Sequence, residues 1–162
     1  MAALGFETLF RLIKPKVGQY VLYAVLALGM LSPALFIVNN FPMIYVYFNE
    51  LAGGVDGTYG DYQMDYYACS AKPAADWMTK NVPIQAGEKI VSNNPWELNM
   101  SWESGKSTRK SEYIRFRERN EQNWDYAVFL PQFVDPKMMK RHFFPPKGTI
   151  HEIKVDNSVI AC

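Results

Sequence analysis

Four groups of residues in this 162-residue chain have the types that chemistry needs. Gly105-Lys106-Ser107 ends like a phosphate-binding loop, but the first glycine of that motif falls on Met100. No strand and glycine-rich turn lead into it, so the spacing predicts a solvated loop. Asp56, Asp61 and Asp65 lie among glycines, as calcium ligands do. They lack the alternate-residue spacing and the closing bidentate glutamate of an EF-hand, so turn chemistry is the preferred reading and structural calcium the alternative. His142 and His151 have no ligand partner at helical spacing, which argues against zinc. Cys69 and Cys162 sit in no Cys–His arrangement, and a bridge between them stays open, since two cysteines are no disulfide framework. No catalytic set, metal site or cofactor site is complete in the sequence.

The densest group is aromatic. Aromatics cluster in the stretch from Phe41 to Tyr67. Aromatic faces stack on sugar rings, and Asn49, Gln63 and Asp65 could bond hydroxyls. Tyr47, Asn49, Asp65 and Tyr66 are therefore the candidate binding residues. The competing and preferred reading makes Tyr47, Tyr59, Tyr62, Tyr66 and Tyr67 interfacial anchors that pack the domain onto a membrane or a neighbouring helix.

What must position these residues begins with an uncharged apolar run, Val17 to Val38. At about 1.5 Å per residue it reaches roughly 33 Å as a helix, enough to cross a bilayer core. Arg11, Lys14 and Lys16 precede it against Glu7 alone, and no Lys or Arg follows until Lys72. That asymmetry predicts a cytoplasmic N-terminus and an extracytoplasmic C-terminal domain. A cleaved signal peptide has a shorter apolar core with a small-residue site after it, whereas Ser32-Pro33-Ala34 lies inside this run. A buried core helix is the third reading. Phe6, Leu9, Phe10 and Ile13 recur at helical spacing, which fits a short helix on the cytoplasmic surface or a frayed start of the long one.

The fold class expected is a single transmembrane helix followed by a small mixed α/β extracytoplasmic domain. Its divisions are a juxtamembrane segment 1–16, the span 17–38, an aromatic and glycine-rich ordered loop 39–69, and an α/β domain 70–162. Ser70 caps a helix with Pro73 in its first turn, stopped by Asn81-Val82-Pro83. Strands are expected at Glu88–Ser92, at Glu112–Arg117, and at Trp124–Leu130, the last in a central position. Asp135-Pro136 opens a short helix to Phe143, and a hairpin over 149–162 turns at Asp156-Asn157. The mixed-sign run from Arg109 to Glu121 reads as an exposed strand face and loop. The whole chain carries 17 basic and 16 acidic residues. Without a cationic excess, nucleic acid is excluded as a partner.

Tyr45-Val46-Tyr47-Phe48-Asn49-Glu50-Leu51-Ala52-Gly53-Gly54, followed by Gly60, Asp65-Tyr66, Ser70, Lys72 and Trp77, resembles a stretch of glycosyltransferase family 39, the dolichyl-phosphate-mannose protein mannosyltransferase-like membrane proteins. In bacterial members the final transmembrane helix is followed by such a segment, then a helix with a Trp and a small α/β tail. The match covers about 60 residues, and Tyr67 stands where the family pattern usually has Trp. The resemblance implies a bacterial inner-membrane protein with its external domain in the periplasm, and a lipid-linked sugar among its partners. Family enzymes resemble many-helix proteins with an acidic residue in the first external loop. Here there is one span and no such loop, so no catalytic residue is carried over.

Two function classes follow. The first is a membrane-anchored, non-catalytic subunit or fragment of a polyprenyl-phosphate-sugar-dependent glycosyltransferase, whose external domain serves docking or closure. The second is an accessory structural subunit of an unrelated membrane complex. Gly18, Ala24, Gly29 and Ser32 offer small helix-packing surfaces for either, without a clean GxxxG seam.

Overall fold

A computed structural model describes residues 2–13, 15–85 and 87–162, without the side chains at 2, 3 and 6. Met1 and Lys14, one of the three basic residues behind the orientation expectation, lie outside the described residues. So does the Phe6 side chain of the amphipathic pattern. The chain forms two compact units, Met1–Asn39 and Asn40–Cys162.

In the first unit, α1 (Ala2–Leu12) and α2 (Lys16–Asn40) are separate helices. Pro15 has no N–H with which to continue the first. The Gln19 side-chain amide bridges the break, donating to Ile13 O at 3.0 Å. Phe10 meets Tyr23 with ring centroids 4.9 Å apart. Of the described helices, α2 alone is long and apolar enough to cross a membrane, with a mean hydropathy of 2.3 and no buried residue. By length and composition a membrane anchor and a signal sequence both fit it. Pro33 lies inside it without ending it.

The second unit is a small mixed α/β fold. Two 3-10 turns, Ile44–Val46 and Glu50–Ala52, and the short helix α3 (Gly54–Thr58) make up its first part. Gly53 and Gly54 take φ values of 91° and 67°, the left-handed region that side chains resist, and a Cβ at Gly53 would meet Gly57 Cα at 3.1 Å. That is the structural use of the Gly-Gly pair. Helix α4 (Ala71–Asn81) follows, buried through Ala71, Ala74, Ala75 and Met78. Ser70 precedes it as expected, but its side chain does not cap the helix. Asp65 does that work instead, accepting from Cys69 N–H at 2.7 Å and Ser70 N–H at 3.1 Å.

Strand β1 (Ile90–Ser92) leads into α5 (Pro95–Ser104), then β2 (Glu112–Tyr113) and β3 (Tyr126–Val128). All three strands are parallel, in the order β2-β1-β3. The central strand is thus β1, fully buried, and not the 124–130 segment. The expected strand 112–117 shrinks to two residues, because Phe116 turns inward within a 3-10 turn, Phe116–Glu118. There it contacts Phe129 and Phe144 edge-on, at 5.0 and 5.6 Å. Val128 and Leu130 alternate to the other side and join the core built on α4 and α5. Arg109, expected on an exposed face, reaches inward. It donates to Met78 O at 2.7 Å and Val82 O at 2.8 Å, closing the carbonyl end of α4.

Helix α6 (Pro136–Lys140) starts where expected, with the Asp135 side chain accepting from Lys137 N–H at 2.9 Å. Strands β4 (Ile153–Val155) and β5 (Ser158–Ala161) form the antiparallel hairpin, with Asp156 at a φ of 53° in its turn. The turn is held from outside by Asp56, which accepts from Asn157 N–H, Asn157 Nδ2 and Ser158 Oγ at 3.1, 2.7 and 2.6 Å. Despite partial burial, these donors keep the Asp56 carboxyl below its ordinary range. Asp56→Ala should therefore release the turn. The expected result is faster hydrogen exchange at Asn157 with little change at Val128, read by exchange mass spectrometry.

Candidate functional site

The aromatic segment spends its polar groups on the chain itself. Asn49 accepts from Ala52 N–H at 3.0 Å and fixes the 3-10 turn behind it. Asp65 is 1% exposed, and besides the two amides it accepts from Ser70 Oγ at 2.5 Å. Burial pushes its carboxyl above the ordinary range against the pull of these donors. Tyr59, half-buried, donates its hydroxyl to Val159 O at 2.9 Å and ties the segment to β5. Four tyrosine rings of the segment stay outside, Tyr62 among them. Tyr45 lies 4.7 Å from Tyr67, which meets Tyr66 edge-on at 5.1 Å, and each is more than 60% exposed. Tyr47 is half-buried.

The four sequence candidates therefore divide. Asp65 and Asn49 build turns, while Tyr66 belongs to an exposed tyrosine surface. Buried Asp65 and exposed Tyr66 do not share one polar face. Gln132 reaches that surface by donating its side-chain amide to Tyr66 O at 3.0 Å. The neighbouring Asn94 donates to Gln132 Oε1 at 3.2 Å. Asp56, Asp61 and Asp65 serve three different partners: the β4–β5 turn, Lys140, and the start of α4. Gly105-Lys106-Ser107 follows α5 at its carboxyl end, whereas a phosphate loop opens a helix at its amino end.

A second feature went unread in the sequence. A cleft of about 270 Å³ lies between α4, β3 and the 146–151 loop. On one side Trp77 stacks on His151, with ring centroids 4.1 Å apart and planes 2° from parallel. Trp124 and Tyr126 contribute the aromatic lining from the other chain segment. The approach to β3 is locked by its own bonds: Trp124 Nε1 donates to Arg119 O at 2.6 Å, and the Arg119 guanidinium sits 4.3 Å over Phe116. Arg119 and Lys147 supply two cations to the cleft against the single carboxylate of Asp125. The lining comes from positions far apart in the chain, so local periodicity carried only one trace of it, the Trp124 and Tyr126 alternation.

Both cysteines are free thiols. Burial, with Glu152 adding to it, pushes the Cys162 thiol up to about 12. Burial and the adjacent Asp65 raise that of Cys69. Neither is poised as a thiolate nucleophile. Among the described residues no three His, Cys, Asp or Glu side chains gather as a metal site. Comparison of the chain with models of known families, with characterised proteins and with solved structures gave no match.

Proposed function

We propose that the chain is a membrane-anchored, non-catalytic component of a polyprenyl-phosphate-sugar-dependent glycosyltransferase, whose α/β unit docks against the catalytic membrane protein. In this reading α2 is the anchor, the N-terminus is cytoplasmic, and the α/β unit lies on the extracytoplasmic side, the periplasm of a bacterium. The observation that carries it is the construction of the segment from Tyr45 to Tyr66. This is where the family resemblance lies, and its asparagine, aspartate and glycines make turns while Tyr45, Tyr62 and Tyr66 face outward. Such a surface suits contact with a protein or an interfacial neighbour better than group transfer.

Anchoring is tested first. Leu28 lies near the middle of α2 and is exposed. Leu28→Arg should cost about 3 kcal/mol of insertion free energy. The protein should then move from the carbonate-resistant membrane pellet to the soluble or degraded fraction. Retention in the pellet would count against α2 as the anchor. Docking is tested by a photo-crosslinking residue at Tyr66 in native membranes. The expected product joins the chain to a many-helix glycosyltransferase, identified by mass spectrometry and by loss of its sugar transfer when the chain is deleted. A crosslink to a membrane complex without transferase activity would replace this reading with that of an accessory subunit.

A further inference from the structure

Three contacts fix the corner between α1 and α2. At Gly18 a Cβ would meet the Ile13 Cγ2 methyl at 2.6 Å, so a side chain there would push the corner apart. Phe10 lies on Tyr23, with ring planes 39° apart. The third contact is the bond from Gln19 Nε2 to Ile13 O. Ile13 N–H closes the end of α1 on Leu9 O at 3.0 Å, and Pro15 has no N–H to satisfy. The Ile13 carbonyl, left over where the chain turns, is thus met by a side chain of α2. The pairs 13–18 and 10–23 run in opposite directions along the chain, so α1 folds back along the opening turns of α2.

Residues three or four apart share a face of a helix, and three such pairs divide the surface of α1. Phe10 and Ile13 face α2. Glu7 and Arg11 form an exposed ion pair. Leu9 and Leu12 make the third stripe, exposed, next to that of Phe10 and turned away from the ion pair. We propose that α1 lies within the cytoplasmic leaflet, with Leu9 and Leu12 among the acyl chains and the Glu7–Arg11 pair at the headgroups. This placement rests on the reading of α2 as the anchor. Tyr23 stands seven residues after Lys16, about 10 Å along the helix axis. The 25-residue helix is about 37 Å long against a hydrocarbon core of about 30 Å. Centred on that core, it sets Tyr23 about 7 Å inside the cytoplasmic boundary, and Phe10 is held beside it. Interfacial helices bury their apolar face to the same depth, about 5–10 Å. The Gln19 bond fits this setting, because no water reaches a backbone carbonyl inside lipid and the chain must supply the donor. Lipid is the occupant because the leucine stripe continues the bare apolar surface of α2, which has no buried residue. A helix pinned in this way sets the rotation and tilt of α2, and with them the side of the span offered to a neighbour.

The test uses the full-length chain in phosphatidylcholine nanodiscs, carrying Cys69→Ser and Cys162→Ser and one spin label at a time. Labels are placed at Leu12→Cys, Glu7→Cys and Leu28→Cys. Their depth is read from relaxation by oxygen, which gathers among acyl chains, against relaxation by a water-soluble nickel chelate. The Leu12 label should lie about 5–10 Å below the phosphates, and the Glu7 label at the phosphates or above. The Leu28 label reads the anchor separately and should lie near the bilayer centre. A Leu12 label open to the chelate, with Leu28 still deep, would overturn the proposal and leave the anchor standing. Both labels open to the chelate would overturn the two together. A Leu12 label shielded from oxygen and chelate alike would make the stripe a protein contact, and would overturn the lipid placement as well.

Discussion

Trp102→Ala should destabilise the α/β unit by about 4 kcal/mol, the largest loss expected from a single side chain here. Trp102 is 1% exposed and belongs to the core shared by α4, α5, β1 and β3. Its Nε1 donates to Ala75 O at 3.2 Å, so the ring fills the space between two helices and also pins their register. Truncation removes the apolar contact, leaves a cavity that packed helices cannot close, and loses the bond. Trp102→Phe separates these terms. It keeps most of the ring and gives up the N–H, for an expected cost of about 1 to 2 kcal/mol. Urea titration of the full chain in mild detergent, read by pulse proteolysis, measures both. Since domains hold only about 5–15 kcal/mol in total, the alanine variant should sit close to half unfolded well before the wild type begins to open. A loss below about 1 kcal/mol would mean that α4 and α5 do not pack through this ring.

The same helix shows what was legible and what was not. The Asn93-Asn94-Pro95 cluster reads as a stop for the preceding strand, and it is one. It is also a start. Asn94 is the N-cap of α5, Pro95 occupies the first turn, and Glu97 N–H donates to Asn94 Oδ1 at 3.5 Å. A cap followed by proline and an acidic residue is a helix signal in the sequence. The weak amphipathic pattern of the residues after it hid that signal, because Leu98 and Trp102 are the only buried positions in ten. Where local chemistry was unambiguous, the elements stood out. The apolar run gave α2, Asp135-Pro136 gave α6, and Asp156-Asn157 gave the hairpin turn.

Tertiary choices were not local and so were not legible. The apolar end of 124–130 suggested a central strand, but Phe129 spends its ring on the Phe116–Phe144 cluster while β1 takes the middle of the sheet. Arg109 looks like any surface charge until the fold brings the carbonyls of Met78 and Val82 beneath it. The cleft needs α4, β3 and the 146–151 loop together, separated by some seventy positions of chain. Among the site candidates, residue type singled out both Tyr66, which is exposed, and Asp65, which is buried. It did not distinguish an aspartate that meets a ligand from one that caps a helix, because both roles ask for the same carboxylate.

Asp65 decides between those two roles. Its carboxylate accepts three bonds at the start of α4, from Cys69 N–H, Ser70 N–H and Ser70 Oγ, while Ser70 Oγ also lies 3.2 Å from Ile160 O on β5. Asp65 itself has a φ of 49°, a conformation that asparagine tolerates and alanine resists. Asp65→Ala should therefore cost about 3 kcal/mol, combining orphaned donors with backbone strain. Asp65→Asn, which keeps one acceptor and the favourable backbone, should cost about 1 kcal/mol at neutral pH. The pH dependence separates them further. Burial raises the folded-state carboxyl above the ordinary value of 3.8. The folded state then holds the proton more tightly than the unfolded chain. The stability this contributes is fully present below 3.8 and is lost as pH rises through the higher folded value. The advantage of wild type over Asp65→Asn should thus shrink as pH climbs through that window, since asparagine does not titrate. Pulse-proteolysis midpoints across the acid range would show it. A ligand-contacting carboxylate predicts the opposite result: unchanged midpoints at every pH, with any loss confined to binding.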